Sequence, residues 1–177
     1  MPDTPVMASP CSLPGAEQQP GAPLVFTGRV RSTDGTPVPH AMVDLWQANG
    51  ERRYSNIHPE IPPFALRGRV TADDRGCFAV RTVRPGAYPL STAGLVLDLV
   101  RAMGRTEHRP AHVHVKVAHP GFRTLTTQVY FPGDPHDETE LLGERSSALV
   151  ATLSDEGGIT RADIELVLDP TPTGSAA

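Results

Sequence analysis

The sequence predicts a mainly β protein: a β-sandwich core of short antiparallel strands with one short helical insertion. Three observations carry this. The chain has 177 residues, a length that suits one domain with a single core. It holds 19 prolines and 16 glycines but only 5% aromatics, which favours many short elements joined by turns over long helices. Its apolar residues recur in short alternating runs bounded by turn residues, the signature of half-buried strands.

Taken in order, residues 1–22 are rich in Pro, Ala, Gly and Ser, lack periodicity, and are expected to form a flexible arm. The sandwich domain is expected over 23–169, with 170–177 as a flexible tail. Residues 24–30 read as a strand, and Asp34-Gly35-Thr36-Pro37 as a turn. Over 41–47, Met42, Asp44 and Trp46 oppose Val43 and Leu45. A strand over 66–71 turns at Asp73-Asp74-Arg75-Gly76. Residues 77–83 return, and Arg84-Pro85-Gly86 ends them. In 93–104, apolar residues at 95, 96, 99, 100 and 103 have helical spacing, which stops at Gly104. Strands over 111–118 and 124–131 flank His119-Pro120-Gly121, and two more are expected over 147–153 and 161–168. Roughly seven or eight short strands with one helix indicate a sandwich. There is no internal repeat.

The formal net charge is -4 and charged residues make up 20%, with nothing to suggest a nucleic-acid or membrane surface. No stretch approaches the ~20 apolar residues of a membrane span. Residues 1–22 have neither the basic nor the apolar region of a secretory signal. Cys11 and Cys77 form no CxxC or zinc spacing and read as unpaired thiols in a reducing compartment. A cytoplasmic protein is expected.

The most informative segment is Arg109-Pro110-Ala111-His112-Val113-His114-Val115-Lys116-Val117. Ala111, Val113, Val115 and Val117 fall on one side of a period-two strand, and His112, His114 and Lys116 on the other. Residues i and i+2 of a strand point the same way, roughly 7 Å apart. Two imidazoles so placed can close on one metal ion at about 2.1 Å each. Alone, the pair fits zinc, copper or iron, and equally a half-exposed polar face. Tyr54 and Tyr88 lie in loop-like segments after strands, where functional groups tend to sit. Tyr130 reads as a structural strand residue. His40, His58, His108, His119 and His136 show no partner pattern and read as surface or loop histidines.

With these residues in view, the chain resembles the intradiol ring-cleaving dioxygenases, such as catechol and hydroxyquinol 1,2-dioxygenases. The resemblance runs from about Gly21 to about Val167. It is carried by Phe26-Thr27-Gly28-Arg29-Val30, by Gly35 and Val38, and by Val43-Asp44-Leu45-Trp46-Gln47-Ala48-Asn49. Leu66-Arg67-Gly68-Arg69, Tyr88-Pro89, Arg109-Pro110-Ala111-His112-Val113-His114 and Leu125-Thr126-Thr127-Gln128 follow in the family's order. The resemblance implies a mononuclear non-haem Fe(III) held by Tyr54, Tyr88, His112 and His114, with His114 axial across from Tyr88 and His112 equatorial beside Tyr54. Arg109 matches the family's catalytic arginine and Gln128 a glutamine near the ring pocket.

The implied chemistry suits these residue types. Fe(III) is a hard cation served by anionic oxygen, and it keeps phenols ionised that would otherwise titrate near pH 10. Two tyrosinates and a hydroxide balance its charge, while neutral imidazoles add none. The resemblance further implies that the axial Tyr88 leaves when a diol chelates and accepts a substrate proton. Arg109 would stabilise negative charge developing on the ring. The partners implied are an aromatic diol and O2, with a possible homodimer and no organic cofactor.

Three departures bear on substrate. The family's first signature usually has glycine two residues before the first tyrosine, and this chain has Arg52 there, which could favour a substrate with an acidic group. Pro89-Leu90-Ser91-Thr92-Ala93-Gly94 replaces a common Asp-Gly-Pro pattern. Residues 1–22 are too short for the long helical N-terminal region of catechol and hydroxyquinol enzymes. Two alternatives stay open: the same iron site acting on an aminophenol or acidic catechol, and a metal-free transthyretin-like binding module.

Overall fold

Alternating burial along the strands generates two facing sheets. The computed structural model describes residues 4, 6–89, 95–105, 107–136 and 146–171. In chain order the elements are β1 (Val6–Ala8), β2 (Cys11–Ser12), β3 (Pro23–Ser32), β4 (Met42–Gln47), β5 (Arg67–Thr71), β6 (Cys77–Val83) and β7 (Tyr88–Pro89). They continue with α1 (Leu95–Ala102), β8 (His108–Arg109), β9 (His112–Ala118), β10 (Leu125–Tyr130), β11 (Thr152–Glu156) and β12 (Ile159–Leu168). The first sheet runs β1-β5-β4-β9-β10 and the second β11-β12-β3-β6-β2; β7 and β8 pair as a separate ribbon.

The core lies between the two large sheets. Val43, Leu45, Val70, Val113, Val115, Val117 and Val129 come from the first sheet. Phe26, Val30, Phe78, Val80, Ile164, Leu166 and Leu168 come from the second. β-branched and aromatic side chains suit a pleated, half-buried surface. Burying each of them contributes about 1.5–3 kcal/mol. Because the valines of β9 point inward, His112, His114 and Lys116 necessarily project from the outer face of the first sheet.

The sandwich contains parallel as well as antiparallel pairs. β12 runs parallel to β3 over nine register pairs from Thr160↔Leu24 to Leu168↔Ser32. β1 and β2 run parallel to β5 and β6. The expected sandwich of short antiparallel strands with one short helix is present, and these three parallel pairs are added to it. Alternation shows which residues form strands but not which distant strands become neighbours.

The expected N-terminal arm is corrected. Residues 6–12 supply one edge strand to each sheet, and Leu13 and Ala16 are buried at 2% and 6% exposure. The sandwich thus begins near residue 6, not 23. Strands of two or three residues among prolines leave no periodicity to read, yet they pair with the backbone edges of β5 and β6. The strand expected over 147–153 is a 3-10 turn at Ser147–Leu149 followed by β11, four residues of which lie beyond Leu153's predecessor. The Ser146 hydroxyl caps that turn by accepting from Ala148 N at 3.3 Å.

The helical insertion is present as α1, with Gly104 at φ 67 just beyond it. Its spacing does not bury a stripe: Leu95 and Leu99 are 84% and 59% exposed, while Val100 is buried. At the C-terminal end, Pro170 bridges to Phe122 and Thr171 N donates to Gly121 O at 2.9 Å. The rest of the expected tail lies outside the described residues. Cys11 and Cys77 are free thiols. Among the described residues no helix is long and apolar enough to cross a membrane.

Candidate active site on the outer face of the first sheet

Strand register lays out the floor of the site. His114 on β9 pairs with Trp46 on β4 and with Gln128 on β10, and Trp46 pairs in turn with Arg67 on β5. Directly opposed residues share a face, so Arg67, Trp46, His114 and Gln128 form one row across four strands. One step along, His112 pairs with Tyr130. Trp46 stacks flat on His114, with ring centroids 4.8 Å apart and planes 2° from parallel.

Two loops carry the phenols over this row. Asn49 shapes the first: its Oδ1 accepts from Glu51 N and Arg53 N, both at 3.0 Å, and its backbone N donates to Arg53 O. This closed turn holds Arg52 at φ 73, a left-handed conformation that disfavours side chains. The Tyr88 segment hooks onto the same turn, where Gly86 N donates to Asn49 O at 3.1 Å. A Cβ on Gly86 would lie 2.6 Å from Gly50 O, and one on Gly50 would lie 2.7 Å from Gly21 Cα. Glycine at both positions lets three stretches of backbone stack directly. Beneath them, buried Gln47 donates to Val83 O at 2.6 Å and accepts from Thr82 Oγ1, so both loops spring from one anchor. The β7–β8 ribbon then pairs Tyr88 with Arg109.

The result brings Tyr54, Tyr88, His112 and His114 together. His112 Nε2 lies 3.2 Å from His114 Nε2 and 3.4 Å from Tyr88 Oη. The Tyr54 ring lies edge-on to Tyr88, with centroids 5.6 Å apart, and 6.1 Å from His114. His112 Nδ1 is 2.7 Å from Pro110 O. A carbonyl accepts only from an N–H, so the proton sits on Nδ1 and the Nε2 lone pair faces the site. Arg109 Nη2 donates to Gln128 Oε1 at 2.5 Å, and the Tyr130 hydroxyl donates to the same oxygen at 2.6 Å. Gln128 Nε2 lies 3.5 Å from His114 Nδ1.

A cavity of about 760 Å³ opens above the row, lined by Trp46, Ile57, Pro89, Tyr54, Tyr88 and His114 with Glu51, Arg52, Arg53, His58 and Arg67. A second hollow of about 470 Å³ lies on the outer face of the second sheet, around Thr27, Arg29 and Asp163, away from these residues. Arg67 is 7% exposed and donates to Ser55 Oγ at 2.7 Å and Ser55 O at 3.2 Å.

Burial sets the electrostatics. The Tyr54 phenol is pushed well above its ordinary range by burial first and by the nearby Tyr88 phenol second, with Arg109 and Arg67 opposing. Its hydroxyl oxygen is buried and meets no hydrogen-bond geometry, the contact with Tyr88 included. An orphaned buried hydroxyl costs about 1–3 kcal/mol unless something else satisfies it. His114 is held down to about 3, chiefly by burial and then by His112, Arg109 and Arg67, so its ring is neutral and its lone pair free to coordinate. Among the described residues no group of three or more His, Cys, Asp or Glu is placed to hold a metal. A metal in this cluster would therefore draw on phenol oxygens as well as imidazoles. Two phenols and two neutral imidazoles fit a hard, highly charged cation, whose field would ionise Tyr54 where burial otherwise forbids it.

Four participants were not marked as site residues by sequence. Tyr130, read as structural, is buried and bonded to Gln128; its position two residues after Gln128 on one strand face was the available signal. Trp46 and Arg67 share the row through register alone. His58, read as a surface or loop residue, sits in the cavity wall and accepts from Tyr54 N at 3.0 Å. His40 pairs with Asp74 on the surface, and His108 stacks on His136 at 4.7 Å.

A β-sandwich thus gathers two tyrosines and two histidines on one outer face. Comparison with known proteins makes this specific. The family model described as Dioxygenase matches residues 2–169. A chlorocatechol 1,2-dioxygenase from a Pseudomonas species is 38% identical over 175 residues, covering 93% of this chain and 70% of that protein. Chlorocatechol 1,2-dioxygenase of Rhodococcus opacus is 37% identical over 143 residues, covering 80% of this chain and 56% of that one. The crystal structure of 3-chlorocatechol 1,2-dioxygenase from Rhodococcus opacus superposes with a TM-score of 0.86 at 29% identity, covering 97% of this chain and 69% of that one. The chain belongs to the intradiol dioxygenase family. It spans between about half and 70% of the length of these curated relatives.

Proposed function

We propose that the protein is a non-haem Fe(III)-dependent dioxygenase that opens an aromatic diol between its two hydroxyl-bearing carbons. The observation that supports this most directly is the buried, unsatisfied Tyr54 hydroxyl beside Tyr88 and the facing Nε2 atoms of His112 and His114. A metal-free binding module leaves that hydroxyl without explanation. Relatives carrying the names catechol, chlorocatechol and hydroxyquinol 1,2-dioxygenase agree on the reaction type and differ in the ring.

Tyr54, Tyr88, His112 and His114 would hold the iron. Bound ferric ion would draw electron density from a chelated diol and so open a ring carbon to O2. The chain's own groups do the rest. Tyr88 lies on a two-residue ribbon at the cavity edge, half-buried; held as phenolate by the metal, its Oη would accept one of the diol's two protons, and a hydroxide leaving as water would take the other. Tyr54, fixed by the Asn49 turn, stays in place. Arg109 sets a cation beside the ring, aimed by Gln128 and Tyr130, and stabilises negative charge as it develops there. Trp46 and Pro89 flank the ring and exclude water. Both oxygen atoms end in the product, a muconate-type diacid, or maleylacetate from a trihydroxybenzene. The diol itself supplies the electrons, so no further reductant is consumed.

Oxygen uptake by iron-loaded protein tests this with catechol, hydroxyquinol and 2-aminophenol. One O2 consumed per diol, with formation of the ring-opened diacid, is expected. No uptake with any ring by protein that has taken up iron would remove the assignment.

A further inference from the structure

Arg52 is an unusual residue to find at its position. The Asn49 turn holds it at φ 73, where glycine is free of strain and arginine is not. Its stem lies against Gly86, whose added Cβ would come within 3.0 Å of Arg52 Cγ, and the exposed side chain lines the cavity together with Tyr88 and Pro89. Among the described residues no carboxylate pairs with it. The other cations of the lining are engaged: Arg53 pairs with Glu60, and Arg67 donates to Ser55. Three arginines against one glutamate line this cavity in a chain of net charge -4, so the cavity is a local positive field on an acidic protein.

The lower part of the cavity has a different character. Trp46, Ile57 and Pro89 offer flat apolar walls, and Tyr54, Tyr88 and His114 stand where the two hydroxyls of a ring would go. At about 760 Å³ the space lies in the upper part of the ~300–1,000 Å³ range of small-molecule sites, so one ring leaves room for a substituent. A ring held by its hydroxyls at the floor directs its opposite edge to the rim, where Arg52 stands.

We propose that Arg52 selects an aromatic diol bearing a carboxylate on the edge of the ring away from its hydroxyls. This rests on the reading of the site as a diol-cleaving centre. Arg52 is then a specificity-determining residue: its guanidinium meets the carboxylate at the cavity mouth, where its planar fork suits a charge-assisted, bidentate pair.

The test uses 3,4-dihydroxybenzoate and 3,4-dihydroxyphenylacetate against their methyl esters, which keep the shape and remove the charge. The chain has one tryptophan, Trp46, and it stacks on His114, so its fluorescence reports binding without turnover. Iron-loaded protein, kept free of oxygen, should bind each acid at least ~10-fold more tightly than its ester. Arg52→Gln should bring that ratio to within about 2-fold, Arg52→Lys should retain part of it, and raised salt should narrow it. The ratio of kcat/KM for acid over ester should move in parallel. Equal binding of acid and ester by the unmodified protein, or an undiminished preference in Arg52→Gln, overturns the proposal while leaving diol cleavage intact. Failure of every diol to bind or turn over overturns both.

Discussion

Arg109 Nη2 donates to Gln128 Oε1 at 2.5 Å, and the Tyr130 hydroxyl donates to that same oxygen at 2.6 Å. One amide oxygen thus fixes a cation at the edge of the site from two sides. The arrangement depends on sheet geometry. Gln128 and Tyr130 are two residues apart on β10 and so share a face, opposite His114 and His112. Arg109 reaches them from the β8 ribbon, where it is the cross-strand partner of Tyr88.

Removing the cation should separate binding from turnover. Arg109→Ala is expected to keep iron and its colour but to lose at least ~100-fold in kcat, the usual scale for one charge-stabilising group. Steady-state oxygen uptake against iron content measures both. A near-normal rate would take Arg109 out of the reaction.

Tyr130→Phe keeps the ring and removes one hydrogen bond, so its effect should be smaller. A loss of about 3–10-fold in kcat with unchanged KM and iron content is expected, which is the scale of one neutral hydrogen bond. If Tyr130 only fills space, Phe will be as active as Tyr.

Gly86→Ala tests how the two loops are held together. Its new Cβ would lie 2.6 Å from Gly50 O, so the Tyr88 segment must lift from the Asn49 turn. The sandwich core does not depend on this contact. A normal strand signal in circular dichroism with iron affinity down at least ~10-fold is expected, the scale seen when groups that support metal ligands are disturbed. Unchanged iron affinity would show that the loops tolerate separation.

Acid stability should depend on Asp73. Its Oδ1 accepts from Arg75 N and Cys77 N, each at 2.8 Å, and those bonds hold its pKa below the usual carboxylate value, the Cys77 bond most of all. A carboxylate depressed in the folded state contributes stability above its unfolded pKa, about 3.9, and loses it as pH falls through the folded value. Asp73→Ala should therefore lower Tm at pH 7 and show a shallower fall in Tm below about pH 4. Parallel curves for the two proteins would contradict this.

The sequence showed the inner strands because their alternation is dictated by the core. Val113, Val115 and Val117 must point inward, so His112 and His114 point out, and neither fact needs a distant partner. It could not show β1 and β2, whose two or three residues lie among prolines and pair only because β5 and β6 have free edges. Nor could it show the parallel pairing of β3 and β12, which are set side by side from opposite ends of the chain. The run Ala148-Leu149-Val150 is apolar enough for a strand, but the Ser146 cap turns it first. In the site, the four residues marked as metal ligands are local signals in loops and on one strand. Trp46, Arg67 and Tyr130 join them by register, which links positions far apart in the chain.

The most direct test of the central claim is a titration of metal-free protein with Fe(III), followed by visible absorbance. Tyrosinate bound to ferric iron gives a charge-transfer band, so the protein should turn red-brown and saturate at one iron per chain. Tyr54→Phe should fold normally but lose most of the band. A protein that stays colourless as iron is added, or a Tyr54→Phe variant with the full band, would contradict the account.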